Sequence, residues 1–171
     1  GKIVLFTDMD QAAPIEELNK ILPYFEEGYD IVIGSRVGRR GAPLARRFIS
    51  AASITLTRFI VGLRGIADTQ CGFKAFSAKA AKDLFMDLNT LHHGFKAISG
   101  SAVTSGFDVE LLYLAQKRGY KIKEVPIKWL HVETRRVNLV KDSIMGVVDL
   151  IDIRKNILMG KYSSKLEIDN G

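Results

Sequence analysis

The sequence predicts an α/β fold, because three features follow one another along the chain. The opening apolar run, residues 3–6, precedes polar residues, as is typical of a buried strand. A helical pattern comes next, and a second apolar strand, "DIVIGSR", follows it, which is the order of a parallel strand–helix–strand unit. With 171 residues, 47% of them hydrophobic, the chain can bury one sizeable core. We therefore expect a mostly parallel sheet flanked by helices.

The first predicted helix spans residues 14–25. Proline suits the first turn of a helix, Glu16 and Glu17 favour the positive end of its dipole, and Gly28 ends it. After the second strand, "RVGRRGAP" is polar and rich in glycine, which indicates a loop. Residues 44–61, in which arginines alternate with apolar residues, predict the next helix.

The second half of the chain predicts two further strands. The segment "DTQCGFKAFSAKAAKDLF" indicates a short strand with an irregularity at Gly72, followed by a helix capped by Ser77. The stretch 89–105 is weakly patterned and is expected to be a loop. The segment "FDVELLYLAQKRGYKIKEVPIKW" predicts a helix that ends at Gly119 and a strand that Pro126 places at the edge of the sheet.

Residues 137–159 predict an amphipathic helix. Charged residues interrupt it too often for a bilayer-spanning segment, and basic residues flank it, as expected of a helix on an anionic membrane surface. The alternative is an ordinary helix packed on the domain. The positions that define the two faces are Val140, Ile144, Val147, Val148 and Ile151 on the apolar side, and Asp142, Asp149 and Asn156 on the polar side.

Positive charge is concentrated in the middle of the chain. Residues 35–76 carry seven arginines and Lys74 against Asp68 alone, whereas the whole chain has a net charge of +6. The planar guanidinium suits phosphate, so clustered arginines beside glycines favour a phosphate ligand over a merely solubilising surface. No aromatic interleaving or nucleic-acid-reading module accompanies them, so we expect no nucleic-acid partner.

Two carboxylates, Asp8 and Asp10, follow the first strand. Such a pair is compatible with two chemistries. In haloacid-dehalogenase-like phosphatases the first Asp is a nucleophile and Gly-Thr follows the pair, whereas Gln11 and Ala12 stand there in this chain. In sugar transfer from a nucleoside diphosphate, the pair holds Mg²⁺ or Mn²⁺, which bridges the diphosphate. We therefore rank the phosphatase interpretation second.

Four segments, in this order, carry a resemblance to a known family: "FTDMD", "VIGSR", "RRFISAASITLTRFIVGLRGIADTQCGFKAF" and "GFDVELLYLAQKRGYKIKEVPIKW". They resemble the inverting family 2 glycosyltransferases of the GT-A fold, and within these the dolichyl-phosphate β-glucosyltransferase and polyprenyl-phosphate glycosyltransferase branch. The most specific pieces are "DTQCGFK" and "VNLVKDS". The resemblance implies a Rossmann-like sheet flanked by helices and a membrane-bound lipid acceptor.

The resemblance also implies roles for ten residues. For Lys74, Glu110 and Asp68 a purely structural role is the alternative. The implied roles are metal binding for Asp8 and Asp10; acceptor-phosphate binding for Arg36, Arg46 and Ser50; catalysis for Asp68 and Asp108; and substrate contact for Gln70, Lys74 and Glu110.

The implied donor is a nucleoside-diphosphate sugar, with UDP-glucose favoured, and the implied acceptor is a polyprenyl or dolichyl phosphate. A phosphate monoester is mostly a dianion at neutral pH, so it needs positioned cations rather than a strong general base. Such an acceptor would place the protein at the cytoplasmic face of a membrane, as a peripheral protein or as part of a membrane-anchored one.

The resemblance begins just before the metal motif, so the strand–helix units that hold the nucleotide in this family are expected to be missing. Residues 1–130 would then be the C-terminal two-thirds of a GT-A catalytic domain, and residues 131–171 a membrane-proximal helical segment. The alternative is a non-catalytic remnant that binds a membrane surface. A second copy of the chain could cover an exposed sheet edge, which predicts a homo-oligomer.

Overall fold

A computed structural model describes residues 1–9, 12–36, 54–91, 106–130 and 139–162 of the chain. The strands and helices alternate, as the sequence predicts. In chain order they are β1 (Ile3–Thr7), a 3-10 turn (Ile15–Glu17), α1 (Leu18–Ile21), α2 (Pro23–Glu26), β2 (Ile31–Ser35), α3 (described over 54–61), β3 (Phe73–Ser77), α4 (Ala78–Leu91), α5 (Phe107–Lys117), β4 (Ile122–Pro126) and α6 (Leu139–Leu158).

The described strands form one sheet in the order β1-β3-β2-β4. β2 and β4 pair in parallel, whereas β3 lies antiparallel between β1 and β2. The α/β fold is confirmed. The described sheet is mixed rather than mostly parallel, because β1, β2 and β4 point the same way but only β2 and β4 pair directly. β3 is the exception, and it separates the two strands of the predicted strand–helix–strand unit. β4 lies at an edge, as Pro126 predicts.

Each face of the sheet is covered by its own hydrophobic cluster. Ile31 and Ile33 of β2 face α4, α5 and α6, whereas Val32 faces the side of α1 and α2. This alternation explains why β2 begins with three consecutive apolar residues, since both of its faces are buried. Cys71 belongs to the second cluster, and burial raises the pKa of its thiol to about 12, so the thiol is unreactive near neutral pH.

The helix predicted over 14–25 is wrong in one respect, because it is broken into a 3-10 turn and two short helices. Pro23 starts α2, and it has no N–H with which to continue the hydrogen-bond pattern of α1. Gly28 ends the segment with a φ of 84°, as predicted. The prediction of a loop over 89–105 is wrong for residues 89–91, because α4 continues to Leu91. Residues 92–105 lie outside the described ranges.

Two predicted helix boundaries are confirmed by their geometry. Ser77 Oγ accepts a hydrogen bond from the backbone N–H of Ala80 at 3.2 Å, so Ser77 caps α4. Gly119 has a φ of 79°, which is the left-handed conformation that ends α5. The helix predicted over 44–61 is confirmed for the described residues 54–61, and residues 44–53 lie outside them.

α6 packs on the domain through a face other than the predicted apolar one. Leu150 and Ile153 are buried against the cluster of α4 and α5, while Val148 and Ile151 are 51% and 54% exposed. Asp149, on the predicted polar side, turns inward and accepts a hydrogen bond from Gly106 N at 3.0 Å. Within the described ranges, no helix is both long enough and apolar enough to cross a membrane.

Candidate active site

Five of the predicted site residues that the structure describes gather where β1 and β2 end and β3 begins. Asp8 follows β1, Arg36 follows β2, and Asp68 lies in the segment before β3. Lys74 lies on β3, and Asp108 lies in the first turn of α5. The carboxyl ends of parallel strands are where α/β proteins bind ligands. Asp10, Arg46 and Ser50 lie outside the described residues.

Asp8 is held at the end of the β1–β3 ladder. Its backbone N–H donates to Gly72 O at 2.9 Å, which extends the register in which Thr7 is paired with Phe73. The Asp8 side chain is exposed, so an ion can reach its carboxylate. Among the described residues, no three His, Cys, Asp or Glu side chains come together as a metal cluster. A Mg²⁺ or Mn²⁺ ion bound together with substrate phosphates needs only one or two carboxylates, and Asp8 fits that role.

Arg36 and Asp68 form a planar ion pair. Arg36 Nε and Nη2 each lie 2.7 Å from a different oxygen of Asp68, and the Arg36 backbone N–H donates to the same carboxylate at 2.8 Å. Trp129 packs against the guanidinium, with the ring centroid 5.1 Å from Cζ. The Arg36 side chain is 28% exposed, so part of this paired side chain is accessible at the end of β2.

The pair also fixes the charge state of its members. Burial by itself raises the pKa of Asp68, but the hydrogen bonds and the positive charge of Arg36 outweigh it and lower the pKa below its ordinary value. Burial likewise lowers the pKa of Arg36, whereas Asp68, and more weakly the charge of Asp8, raise it overall. Asp68 is therefore a carboxylate at neutral pH, and it cannot donate a proton there.

This pair predicts an acid dependence of stability. Because the folded-state pKa of Asp68 lies below the unfolded value of about 4, its contribution is present above pH 4 and is lost as the pH falls through the folded pKa. We expect Asp68→Asn to lower the free energy of unfolding by about 2 kcal/mol at pH 7. Urea unfolding of both proteins from pH 7 to pH 2.5 should show this difference shrinking below pH 4. A constant difference would contradict the prediction.

Lys74 is fully buried, and both of its described partners belong to this site. Its Nζ donates to Asp108 Oδ1 at 2.6 Å and to Cys71 O at 2.6 Å. The Asp108 side chain is 25% exposed, whereas that of Lys74 is 0% exposed. The buried lysine therefore holds the Asp108 carboxylate in place, and Asp108 is the member of the pair that solvent reaches. This geometry favours the structural alternative for Lys74.

Gln70 and Glu110 are the remaining described residues of the prediction. Gln70 is an exposed turn residue before β3. Glu110 is buried, and its Oε1 accepts a hydrogen bond from the hydroxyl of Tyr162 at 2.5 Å. Burial, together with that contact, raises the pKa of Tyr162. Glu110 also lines a cavity of about 370 Å³ between α5 and α6, so it faces α6.

Sequence reasoning missed Glu124, which orients the segment that carries Asp68. Its two carboxylate oxygens accept the backbone N–H groups of Ala67 at 2.7 Å and Asp68 at 3.0 Å. A signal was present, because Glu124 is an acidic residue inside a predicted strand. The pattern could not show which backbone it would bind, since the contact joins residues 56 and 57 positions apart.

Residues 127–130, which we call the strap, connect the two halves of the site. Ile127 N donates to Ser35 O at 3.0 Å, next to Arg36, and Leu130 N donates to Ala12 O at 2.6 Å, just past Asp10 in the sequence. The strap also carries Trp129, whose ring packs on Arg36. The carboxylate side and the arginine side of the site are thus joined by four residues.

Comparison with known proteins gives one family and a consistent set of relatives. Residues 1–85 match the family described as Glycosyl transferase family 2. A dolichyl-phosphate beta-glucosyltransferase of Saccharomyces cerevisiae is 34% identical over 95% of this chain, and one of Dictyostelium discoideum is 30% identical over 96%. A dolichyl-phosphate hexose transferase of Haloferax volcanii is 33% identical over 74%. The chain spans about half the length of each of these relatives.

Proposed function

Because this chain belongs to glycosyltransferase family 2, we propose that it transfers glucose from UDP-glucose to dolichyl phosphate or a related polyprenyl phosphate, with Mg²⁺ or Mn²⁺ as cofactor. The names of the relatives support the sugar and the acceptor. The four-stranded sheet flanked by helices is consistent with the GT-A fold. The family match favours sugar transfer over the phosphatase interpretation.

The observation that carries the proposal is the placement of Asp8 and Arg36 at one end of the sheet. Asp8, together with Asp10, would hold the metal ion. When bound, the ion neutralises charge on the diphosphate leaving group. Arg36 would face the acceptor phosphate, and Asp68 and Trp129 hold the guanidinium in place before the acceptor arrives. Such preorganised charge needs no rearrangement during the reaction.

The proposed reaction needs little acid–base chemistry from the protein. An acceptor phosphate oxygen attacks the anomeric carbon of glucose, and the bond from that carbon to the diphosphate breaks. The acceptor is mostly a dianion near pH 7, so it can attack without a strong base. We assign to Asp68 the positioning of Arg36 rather than proton transfer, because its lowered pKa keeps it ionised. Asp108, held by Lys74, is the partly exposed carboxylate available to contact substrate.

A transfer assay tests this function. The chain is incubated with radiolabelled UDP-glucose, dolichyl phosphate and Mn²⁺, and the lipid is extracted and counted. Label in the lipid that requires all three components supports the proposal, with GDP-mannose and UDP-N-acetylglucosamine as donor controls. If the folded chain neither binds UDP-glucose nor transfers glucose but still binds vesicles, it is a non-catalytic membrane-surface module, and the proposed reaction is wrong.

We propose further that α6 lies on the membrane that holds the acceptor, at its cytoplasmic face. Val147, Ile151 and Leu158 line one exposed side of this helix, Arg154 lies on the same side between Ile151 and Leu158, and Lys155 lies beside it. Exposed apolar residues combined with basic residues are typical of a helix that lies in the interface of an anionic bilayer. The buried side, with Leu150 and Ile153, attaches the helix to the domain.

The free, buried Cys71 is compatible with a reducing compartment.

Replacing Ile151 by glutamine tests this contact. Because about half of the side chain is exposed, its transfer into the lipid interface is worth roughly 1 kcal/mol, so affinity for vesicles with anionic lipid should fall about fivefold. Vesicle sedimentation gives the affinity. The control is Met86→Gln, which replaces an exposed apolar residue on α4 and should leave binding unchanged. Equal losses for the two variants would contradict a specific contact through α6.

A further inference from the structure

Gly72 lies opposite Asp8 at the place where β1 and β3 end their pairing. The backbone N–H of Asp8 donates to Gly72 O, one position beyond the Thr7–Phe73 pair. Opposed residues of an antiparallel pair project their side chains from the same face. A Cβ atom at position 72 would lie 1.8 Å from Oδ2, 2.0 Å from Cγ and 2.3 Å from Oδ1 of Asp8. The carboxylate of Asp8 therefore occupies the volume that a side chain at position 72 would fill.

We propose that Gly72 is a positioning residue for the metal-binding carboxylate of Asp8. This inference rests on the proposed function, because it concerns the ion that Asp8 would hold there. The absence of a side chain at position 72 lets the carboxylate lie across the strand end. Every other amino acid would displace it, and a divalent-ion site tolerates displacements of only about 0.5 Å.

Two observations separate this role from an ordinary structural role for glycine. The described glycines with positive φ are Gly28, Gly62, Gly65, Gly119 and Gly160, so the backbone at position 72 is one that alanine can adopt. The three nearest atoms that an added Cβ would meet all belong to the Asp8 carboxylate. The exposed side chain of Asp8 can rotate away from a Cβ at position 72. The fold should therefore accommodate alanine, and the substitution should change the position of the carboxylate rather than the stability of the protein.

Gly34 on β2 provides a matched control. A Cβ there would lie 2.5 Å from Cδ1 of Ile127 and 3.2 Å from the backbone oxygen of Phe73, both in the packed interior of the sheet. Gly34→Ala is therefore expected to overpack the core and to lower Tm by roughly 5 °C. None of the three atoms nearest to a Cβ at position 34 belongs to Asp8, so the affinity for the metal ion should stay the same.

The experiment measures Mn²⁺ binding to the chain by the electron paramagnetic resonance signal of free Mn²⁺, and Tm by calorimetry. For Gly72→Ala we expect the Kd for Mn²⁺ to rise at least tenfold while Tm stays within about 2 °C of the original chain. Asp8→Asn should raise the Kd by a similar factor. The double variant should bind no more weakly than Asp8→Asn alone, because Gly72 acts through Asp8.

Two results would overturn the inference in distinguishable ways. If the original chain binds Mn²⁺ through Asp8 and Gly72→Ala binds it within twofold, Gly72 does not position the carboxylate and the proposed metal site stands. A fully additive loss in the double variant leads to the same conclusion. If Asp8→Asn leaves Mn²⁺ binding unchanged, Asp8 is not a metal ligand, and that part of the proposed function fails together with the inference.

Discussion

Replacing Asp8 by asparagine is expected to lower glucose transfer by about 10²- to 10³-fold. Asparagine keeps the size of the side chain and removes its negative charge, so the metal ion that we propose to stabilise the leaving diphosphate would be held weakly. Loss of one preorganised electrostatic contact to developing charge costs about 3 to 4 kcal/mol, which corresponds to that factor. The measurement is the rate of labelled-lipid formation at several Mn²⁺ concentrations.

The control for this substitution is Asp152→Asn on α6, which removes an exposed carboxylate away from the sheet edge. Its transfer rate should stay within about twofold of the original chain, in line with the small effect of most surface substitutions. If Asp8→Asn retains its rate and its dependence on Mn²⁺, the carboxylate at the end of β1 is not the metal ligand.

Replacing Lys74 by methionine should cause the largest loss of stability, about 3 kcal/mol. The change leaves Asp108 and the carbonyl of Cys71 without the ammonium group that both contact at 2.6 Å. Removing one member of a buried ion pair costs about 3 to 5 kcal/mol, and the partial exposure of Asp108 places this case at the lower end. Urea unfolding monitored by circular dichroism gives the value.

A second lysine provides the comparison. Lys79 lies 3.5 Å from Asp83, but its side chain is 80% exposed. Lys79→Met should therefore change the free energy of unfolding by no more than about 0.5 kcal/mol. A similar loss for both variants would show that burial does not distinguish the two pairs. In addition, Lys74→Met/Asp108→Asn should recover part of the loss, because the unpaired negative charge is removed.

The elements of the fold could be predicted because their signals are local. The apolar run of β2, the capping serine of α4 and the glycine that ends α5 each depend on a few neighbouring residues. The break at Pro23 was also readable, since proline cannot continue a helix that has already started. The position of β3 between β1 and β2 could not be predicted, because the alternation of apolar and polar residues along a strand does not specify which strands pair with it.

The site could be predicted as a set of residues but not as a set of contacts. Arg36 and Asp68 were both candidates, yet their pairing joins positions 32 apart. The burial of Lys74 depends on Asp108, which lies 34 positions away. Gly72 was recognised as an irregularity, whereas its reason, the opposed carboxylate of Asp8, requires the register of β1 and β3. The metal and phosphate roles of these residues stay predictions.

The strap also sets a length scale for the site. One end of this four-residue segment is hydrogen-bonded to Ser35 beside Arg36, and the other end is hydrogen-bonded to Ala12, just past Asp10. The distance between Ser35 and Ala12 therefore depends on the number of residues in the strap. An inserted or deleted residue in 127–130 would change that separation, and with it the distance between Asp8, the proposed metal ligand, and Arg36, the proposed ligand of the acceptor phosphate. A substitution in the strap changes a side chain, whereas the separation of Arg36 from Asp8 depends on the length of the strap.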